Sequence, residues 1–329
     1  MMRTPRSPPL RGSRVLRWIH LLLLPLLLAA GTSVAGPLVY GLNGYGGVSA
    51  YDASSGDRIS WWQGDLIPYG SIAFGPDGRL YGLNGLGGVS GYDGDTGQLK
   101  SRWQGGLHID GAIAFGSDGV VYGLNPLGGV SGYDSMTGAL RSSWGGDLLI
   151  TGSLAVGADG LVYGLNGWGG ISAYDATTGE LKSSWRGGLV SNRGSIAFGA
   201  DGLLYGLNAL GGVTAYIAST GQEQISWTGS LYSGGSIAFG GDGLLYGLNG
   251  WGGISGSDPR TGERASWWGG SLIDYGSIAM APVHVVSEPA TLPMILGAVA
   301  FVMAMRLRSH AARAGPGTTG FMQPAMLSG

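Results

Sequence analysis

The chain of 329 residues contains no cysteine, which excludes a disulfide framework, a thiolate nucleophile and any metal or iron–sulfur site with cysteine ligands. Histidine is scarce as well. Of the four histidines, only His108 lies in the body of the chain, since the others occur near its two ends. A single histidine in a loop is more typical of a solvated side chain than of a catalytic base. We therefore predict no enzyme activity, no catalytic residue, no metal site and no cofactor.

Positive charge is also sparse in the body of the chain. Between residues 36 and 281 there are ten Lys and Arg residues against nineteen Asp and Glu residues, a net charge of about −9. Nucleic-acid binding needs basic side chains that neutralise phosphates. The sequence therefore predicts no nucleic-acid partner.

Glycine and apolar residues are abundant, with 68 glycines and 44% hydrophobic residues. The glycines have no Gly-X-Y period, so a collagen-like structure is excluded. The apolar content is sufficient for a folded core.

The N-terminal residues 1–35 have the three parts of a secretory signal peptide. Five arginines precede a short apolar run from Trp18 to Ala30, and small residues follow at Ser33 and Ala35. We expect cleavage after about Ala35 and export of the remaining chain. A single-spanning anchor is the alternative, although the apolar run is short and contains Pro25.

The C-terminal part has a motif, an apolar stretch and arginines in that order. Glu288-Pro289-Ala290-Thr291-Leu292 is followed by apolar residues and then by Arg306 and Arg308. This order resembles the PEP-CTERM sorting signal of Gram-negative bacteria. The resemblance implies export through the inner membrane, temporary anchoring there, processing by an exosortase-type enzyme, and delivery to the cell surface or extracellular matrix.

The resemblance divides the C-terminal part into a linker with the sorting motif (282–289), a membrane-spanning helix with a basic end (290–308) and a flexible tail (309–329). The arginines predict that the C-terminal side of the span is cytoplasmic. Ser287 stands where the family has its first proline, and about twenty residues follow the arginines. An uncleaved anchor is therefore the alternative.

Between the two ends, one sequence repeat occurs six times. The motif Tyr-Gly-Leu-Asn begins at Tyr40, Tyr81, Tyr122, Tyr163, Tyr205 and Tyr246, at intervals of 41 residues except for one of 42. Each copy contains four short apolar stretches separated by turn residues such as Asp-Gly and Thr-Gly. A period near forty with four strands per unit predicts an all-β, six-bladed β-propeller over residues 36–281.

The repeat begins at a second strand, and an extra first strand, Gly276–Met280, ends it. We expect these two fragments to form one blade and to close the ring, which removes exposed edges. An open solenoid is the alternative.

The segment from Ile72 to Asn84 resembles NHL-type propellers, and Tyr174 to Trp185 resembles quinoprotein-type propellers. This similarity implies the fold and not the function.

Small residues and tryptophans recur at fixed places in the repeat. Glycine follows each repeat tyrosine, and alanine or glycine recurs in the third strand, where we expect close approach of another sheet. One tryptophan ends each fourth strand, and we expect these side chains to anchor neighbouring blades: Trp62, Trp103, Trp144, Trp185, Trp227 and Trp268.

The copies differ mainly in two kinds of loop, which alternating strands place on one face. We call this the variable face. It comprises the second-to-third-strand loops, whose tip residues are Tyr45, Leu86, Leu127, Trp168, Leu210 and Trp251, and the connections between blades at 67–69, 108–110, 149–151, 190–193, 232–234 and 273–275. The other turns are nearly identical and form what we call the constant face.

Aromatic side chains beside Asn and Asp suit the apolar faces and hydroxyl groups of sugars. The candidate ligand-binding residues are Tyr45, Trp168, Trp251, Tyr69, Asn192, Tyr232, Asp274 and Tyr275. The predicted function is to bind or organise exopolysaccharide, as the association of the PEP-CTERM class with biofilm-forming bacteria also implies. Binding of a surface protein is the first alternative, and a metal- or quinone-dependent enzyme is a minor one. Unconstrained variation of loops without a ligand is a further alternative.

Two polar series admit two interpretations each. The repeated asparagines, such as Asn84, could line a channel, but capping of the following glycine-rich turn is favoured. The Asp-x-x-Thr-Gly series offers oxygen atoms to calcium, but a turn is favoured because each copy has too few of them.

Overall fold

The computed structural model describes residues 36–282. The predicted signal peptide (1–35), the sorting motif with Glu288 and Pro289, the predicted membrane segment with Arg306 and Arg308, and the tail lie outside the described residues. Within the described part, twenty-four strands form six four-stranded antiparallel sheets. Residues 36–282 include no helix with the length and apolarity to cross a membrane.

The first twelve strands are β1 (Leu38–Leu42), β2 (Val48–Asp52), β3 (Arg58–Trp62), β4 (Ile72–Phe74), β5 (Leu80–Leu83), β6 (Val89–Tyr92), β7 (Leu99–Arg102), β8 (Ile113–Phe115), β9 (Val120–Leu124), β10 (Val130–Asp134), β11 (Leu140–Trp144) and β12 (Leu154–Val156). The others are β13 (Leu161–Leu165), β14 (Ile171–Asp175), β15 (Leu181–Ser184), β16 (Ile196–Phe198), β17 (Leu204–Leu207), β18 (Val213–Ile217), β19 (Gln222–Trp227), β20 (Ile237–Phe239), β21 (Leu245–Leu248), β22 (Ile254–Ser257), β23 (Arg264–Trp268) and β24 (Ile278–Met280).

The six sheets are the blades of a β-propeller. Blade 1 contains β24, β1, β2 and β3 from the inside outwards, and blades 2 to 6 each contain four consecutive strands, starting at β4, β8, β12, β16 and β20. Each innermost strand contacts the innermost strands of two neighbouring blades. The predicted architecture of six four-stranded blades is therefore confirmed.

Blade 1 combines strands from both ends of the described chain. Strand β24 pairs antiparallel with β1, and Ala279 lies opposite Tyr40 in the register. The amide of Leu42 adds a hydrogen bond to the carbonyl of Ser277, and the amide of Ala281 donates to the carbonyl of Leu38.

The core consists of the layers between blades. The second and third strands are buried almost throughout, whereas the fourth strands are mostly exposed or half-buried up to their terminal tryptophans. A single twisted sheet cannot cover its own apolar faces. The buried tyrosines, leucines and valines therefore pack mainly against the next blade.

The small residues of the second strand make room for a leucine, which differs from the expected approach of a whole sheet. A Cβ atom on Gly41 would lie 2.6 Å from a methyl group of Leu272, and one on Gly82 would lie 2.8 Å from a methyl group of Leu66. These leucines come from the connections between blades. The glycines therefore allow each connection to insert one buried side chain between two blades.

The repeated tryptophans link neighbouring blades, as expected. The indole N–H of Trp62 donates to the carbonyl of Gly94 in the next blade at 2.9 Å, and its ring packs on Tyr92 with centroids 4.7 Å apart. The same hydrogen bond occurs at all six junctions, from Trp62, Trp103, Trp144, Trp185, Trp227 and Trp268 to Gly94, Ser135, Ala176, Ala218, Pro259 and Ala53.

The two adjacent glycines of the second-to-third-strand loop have different physical roles. Gly87 has a φ of 65°, in the left-handed region that favours glycine. Gly88 has no space for a side chain, since a Cβ atom there would lie 2.1 Å from the carbonyl oxygen of Trp103. Gly85, three residues earlier, has open space around it. Two other copies of the repeat have Pro126 and Ala209 at the position equivalent to Gly85.

We expect Trp62→Ala to lower the free energy of unfolding by about 3–5 kcal/mol, because it removes a buried ring together with an interblade hydrogen bond. The adjacent Trp61 is 43% exposed, whereas Trp62 is 7% exposed, so Trp61→Ala is the matched control with an expected change of less than about 1 kcal/mol. Urea denaturation followed by circular dichroism measures both variants. Equal losses in the two variants would contradict the anchoring role.

A second pair of variants separates the glycines of one loop. Gly88→Ala should destabilise the protein by about 1–3 kcal/mol or more, because the added carbon clashes with the backbone of Trp103, directly after β7, and not with a flexible side chain. Gly85→Ala should be neutral or stabilise by up to about 1 kcal/mol, because it restricts the unfolded chain without a clash. Thermal and urea unfolding compare the two, and a stable Gly88→Ala protein would refute the packing argument.

Candidate functional site

The contacts between loops assign them to two faces, as the sequence predicts. On the variable face, the amide of Leu66 in a connection donates to the carbonyl of Gly46 in a second-to-third-strand loop. On the constant face, the hydroxyl of Tyr40 reaches Asp95, which lies in a third-to-fourth-strand turn of the next blade. Each face is therefore formed by two kinds of loop in mutual contact.

The repeated asparagines cap the loops of the variable face. The Oδ1 atom of Asn84 accepts hydrogen bonds from the amides of Leu86 and Gly88, and its Nδ2 donates to the carbonyl of Trp103. Asn84 is fully buried in this arrangement. The alternative in which the asparagines line a channel is wrong, because both ends of the amide are used within the blade. The caps hold every tip residue on the same backbone.

The aspartate side chains of the constant face accept hydrogen bonds within and beside the turns. The Oδ1 atom of Asp93 accepts from the amide and hydroxyl of Thr96, which is the favoured turn role. Asp118 accepts from the hydroxyl of Tyr122 at 3.1 Å. Burial, followed by the charge of Asp118, raises the pKa of Tyr122 to about 12, so the phenol stays protonated and donates. Within residues 36–282, no three His, Asp or Glu side chains are grouped to hold a metal ion.

The loop tips of the variable face project into solvent. Tyr45, Trp168 and Trp251 are 67%, 62% and 74% exposed. The ring of Tyr45 meets Trp61 edge-on, and the guanidinium of Arg186 lies 4.3 Å from the ring centre of Trp168. The three candidate aromatic residues are thus on the same face, in blades 1, 4 and 6, and each keeps a large accessible surface.

The other candidates lie in the connections between blades. Asp274 accepts from the amide of Gly252 at 3.1 Å, so it supports the loop that carries Trp251. Tyr232 packs edge-on against Tyr275 with centroids 4.9 Å apart. The nearby Tyr275 hydroxyl, followed by burial and the charge of Asp274, raises the pKa of Tyr232 to about 12, so this phenol is neutral over the physiological range.

The connections of all six blades converge on one depression, which we call the axial pocket, with a volume of about 70 Å³. Its rim takes one residue from each connection, namely Tyr69, Asp110, Thr151, Arg193, Gly234 and Tyr275. The pocket is also lined by small residues that lie two positions after these, namely Ser71, Ala112, Ser153, Ser195, Ser236 and Ser277. Because each blade contributes equivalent positions, the pocket lies where the blades meet at the centre of the variable face.

The eight candidates therefore form two groups. Tyr69 and Tyr275 line the axial pocket, whereas Tyr45, Trp168 and Trp251 occupy loop tips between the second and third strands. Asn192 is exposed beside the pocket, and its Oδ1 accepts from the hydroxyl of Thr151 at 3.4 Å.

The pocket residues Asp110, Thr151 and Arg193 are absent from the candidates that the sequence supplied. One signal was available for Arg193, because its blade has the extra residue of the 42-residue interval and its connection holds the one Lys or Arg among the six connections. The repeat gives no measure of how far each connection reaches towards the centre, so the sequence does not distinguish Arg193 from the neighbouring Asn192.

His108 differs from the expected solvated side chain. It is half-buried in a connection, and its Nδ1 atom is buried without a hydrogen-bond partner among residues 36–282. It lies two residues before the pocket residue Asp110 and does not itself line the pocket.

No family model matches the chain, and no curated protein matches it. A solved protein of unknown function from Bacteroides caccae has a TM-score of 0.54 and 10% identity, and the match covers 75% of this chain and 99% of that one. BamB from Moraxella catarrhalis has a TM-score of 0.43 and 18% identity, with 70% of this chain and 69% of that one covered.

The computationally designed Ika8 protein has a TM-score of 0.46 and 18% identity, with 71% of this chain and 85% of that one covered. At these identities the likeness to the Bacteroides caccae protein concerns the fold alone. The chain is thus similar in architecture to a solved protein whose own function is unknown.

Proposed function

We propose that the protein is a non-enzymatic component of the cell envelope or extracellular matrix, and that the variable face of its propeller binds or organises exopolysaccharide. The observation that carries this proposal is the pattern at the loop tips. The same asparagine cap holds each tip, and three of the six tips present an exposed Tyr or Trp ring.

The physical support comes from the cost of exposing aromatic rings. A buried Trp or Tyr side chain gains free energy from the removal of its apolar surface from water, and that gain is absent at Tyr45, Trp168 and Trp251. A flat ring of this kind packs against the apolar face of a sugar. On the same face, Asp274 beside the loop of Trp251 and Asn192 beside the axial pocket supply polar atoms for hydroxyl groups, and several tips on one face suit a ligand with repeated units.

The proposed location follows from the two ends of the chain. Residues 1–35 act as the signal peptide, and the sorting motif with Glu288 and Pro289 is processed by an exosortase-type enzyme. The apolar segment ending at Arg306 and Arg308 anchors the exported protein in the inner membrane before its delivery to the surface or matrix of a Gram-negative bacterium. These assignments rest on the sequence patterns described above.

A protein partner is the second candidate for the variable face. Leu127 and Leu210, the tips of blades 3 and 5, are 73% and 68% exposed. Aliphatic side chains suit the apolar core of a protein interface better than they suit a sugar. The two candidates therefore depend on different tips of the same face.

The closure of the ring is also proposed to depend on the pairing of β24 with β1. Two observations support this idea: Trp268 of blade 6 donates to the carbonyl of Ala53 in blade 1, and Ile278 of β24 is 4% exposed. Without β24, the inner edge of β1 would present unpaired backbone groups.

For sugar binding, we compare two double variants of the full-length protein, purified in detergent. Trp168→Ala with Trp251→Ala should weaken binding to the producing organism's exopolysaccharide by at least about tenfold, because each change removes an exposed ring that stacks on the ligand. Leu127→Ala with Leu210→Ala changes equivalent tips and should leave binding within about twofold. Co-sedimentation measures binding, and circular dichroism checks folding.

A folded wild-type protein that ignores the polysaccharide would refute the sugar proposal. Retention of an envelope protein that is lost with the leucine variant, and kept with the tryptophan variant, would instead establish the protein-binding alternative.

For ring closure, we compare a chain that ends at Pro282 with one that ends at Tyr275. The shorter chain lacks β24 and should lose at least about 2 kcal/mol of stability, because the burial of an Ile side chain alone contributes about 1.5–3 kcal/mol. Urea denaturation measures the difference. The chain that ends at Pro282 is the control, since it keeps every described strand, and equal denaturation midpoints would contradict the closing role of β24.

A further inference from the structure

Arg193 has an unusual backbone at the centre of the variable face. Its φ of 57° makes it the one non-glycine residue with a positive φ among residues 36–282. The next residue, Gly194, has no space for a side chain, since a Cβ atom there would lie 1.9 Å from the carbonyl oxygen of Val190. This tight fold of the longer connection costs conformational free energy. Its result is a single arginine on the rim of the axial pocket.

The guanidinium of Arg193 lies over the aromatic rings of two other blades, near the outer limit of a cation–π contact. Its central carbon lies 5.9 Å from the ring centre of Tyr69 and 5.7 Å from that of Tyr275. In the described part of the chain, no carboxylate forms an ion pair with it and no acceptor takes a hydrogen bond from it. Four other arginines, Arg79, Arg102, Arg141 and Arg260, do pair with aspartates.

A carboxylate is available in the same pocket but does not pair with this arginine. Asp110 lines the rim two blades away, on the far side of Thr151, and it makes no hydrogen bond or ion pair within residues 36–282. The rim therefore presents one fork of N–H donors and one separate acceptor, both open to a ligand. Asn192, beside Arg193, uses its Oδ1 on Thr151 and keeps its Nδ2 as another donor.

These groups match the chemistry of one kind of sugar unit. Guanidinium binds a carboxylate through two parallel hydrogen bonds. A carboxylate such as Asp110 accepts hydrogen bonds from hydroxyl groups, and tyrosine rings pack on the apolar face of a sugar. A neutral sugar would leave the arginine unpaired, and a simple inorganic anion would leave both Asp110 and the rings without a partner. A uronic acid carries a carboxylate, hydroxyls and an apolar face in one unit.

We propose that the axial pocket binds a uronic acid unit of an acidic polysaccharide, with its carboxylate on Arg193, its hydroxyls on Asp110, and its ring at the mouth of the pocket, beside the side chains of Tyr69 and Tyr275 that flank the guanidinium. The volume of about 70 Å³ accommodates the carboxylate group, while the sugar ring stays at the opening. This inference rests on the proposed function, because it names the class of polysaccharide that the variable face recognises.

The test uses full-length protein in detergent and isothermal titration with trimers of galacturonate, mannuronate and glucuronate, each beside its uncharged methyl ester. At least one acidic trimer should bind at least tenfold more tightly than its ester. Arg193→Gln should remove that preference and leave ester binding unchanged. Arg186→Gln is the matched control, since Arg186 also stacks on an aromatic ring of the same face but lies outside the pocket. It should leave both affinities within twofold.

Two further measurements sharpen the test. Asp110→Asn should weaken binding of the uncharged methyl ester, because the hydroxyl groups lose a charged acceptor and the ester has no carboxylate that would gain from the lost negative charge, and circular dichroism checks that each variant is folded. Inorganic phosphate at the same concentration should compete poorly. Competition by phosphate at equal strength would overturn the proposal in favour of a general anion site.

The outcomes also separate this inference from the proposed function. Equal binding of acid and ester, unchanged binding in Arg193→Gln, or no binding of any acidic trimer overturns the uronate proposal. In each of these cases the exopolysaccharide experiment with the Trp168 and Trp251 variants still decides the proposed function, because those side chains lie outside the axial pocket.

Discussion

The whole propeller depends on one contact, in which a tryptophan at the end of each fourth strand reaches into the next blade. Its ring packs against the following blade, and its N–H satisfies a turn carbonyl there, with N–O distances between 2.9 and 3.3 Å at all six junctions. A four-stranded sheet cannot bury its own apolar residues, so each blade needs this partner. Blade 6 shows how much variation the contact tolerates, since Ser257 stands where the other blades have a tyrosine beneath the tryptophan.

The same regularity gives the variable face its character. Each asparagine caps the loop between the second and third strands and ties it to the carbonyl at the end of the fourth strand. The Gly-Gly pair and the cap are the same in every copy, so only the tip residue is free to vary. Leu86, Trp168 and Tyr45 therefore occupy equivalent backbone positions while their side chains differ in shape and chemistry. A frame of this kind separates folding from recognition, because a change at a tip does not disturb the contacts that hold the blades together.

The sequence was sufficient to predict the architecture because the repeat encodes it six times over. The interval of 41 residues, the turn residues and the fourth-strand tryptophans each indicate the same blade, and the asparagine caps follow from local turn chemistry. Distances across the ring were not predictable in this way. The leucine that fills the space beside Gly82 comes from a connection with no regular strand, and the convergence of Tyr69, Arg193 and Tyr275 depends on the number and tilt of the blades. The repeat pattern thus located the face but not the pocket at its centre.

The departure from symmetry at the axis has a physical reason. Six copies of a charged residue on one small rim would repel each other strongly, because like charges a few ångströms apart in a partly desolvated site interact by several kcal/mol. A recognition group with charge can therefore be carried by only one or two blades, and the repeat must be broken to supply it. The extra residue before Arg193 breaks it in blade 5, Asp110 supplies the opposite charge in blade 3, and Gly234 leaves space for the ring of Tyr275 in its neighbour. A sixfold frame with an asymmetric centre suits a ligand that is itself asymmetric, such as one sugar unit in a directional chain.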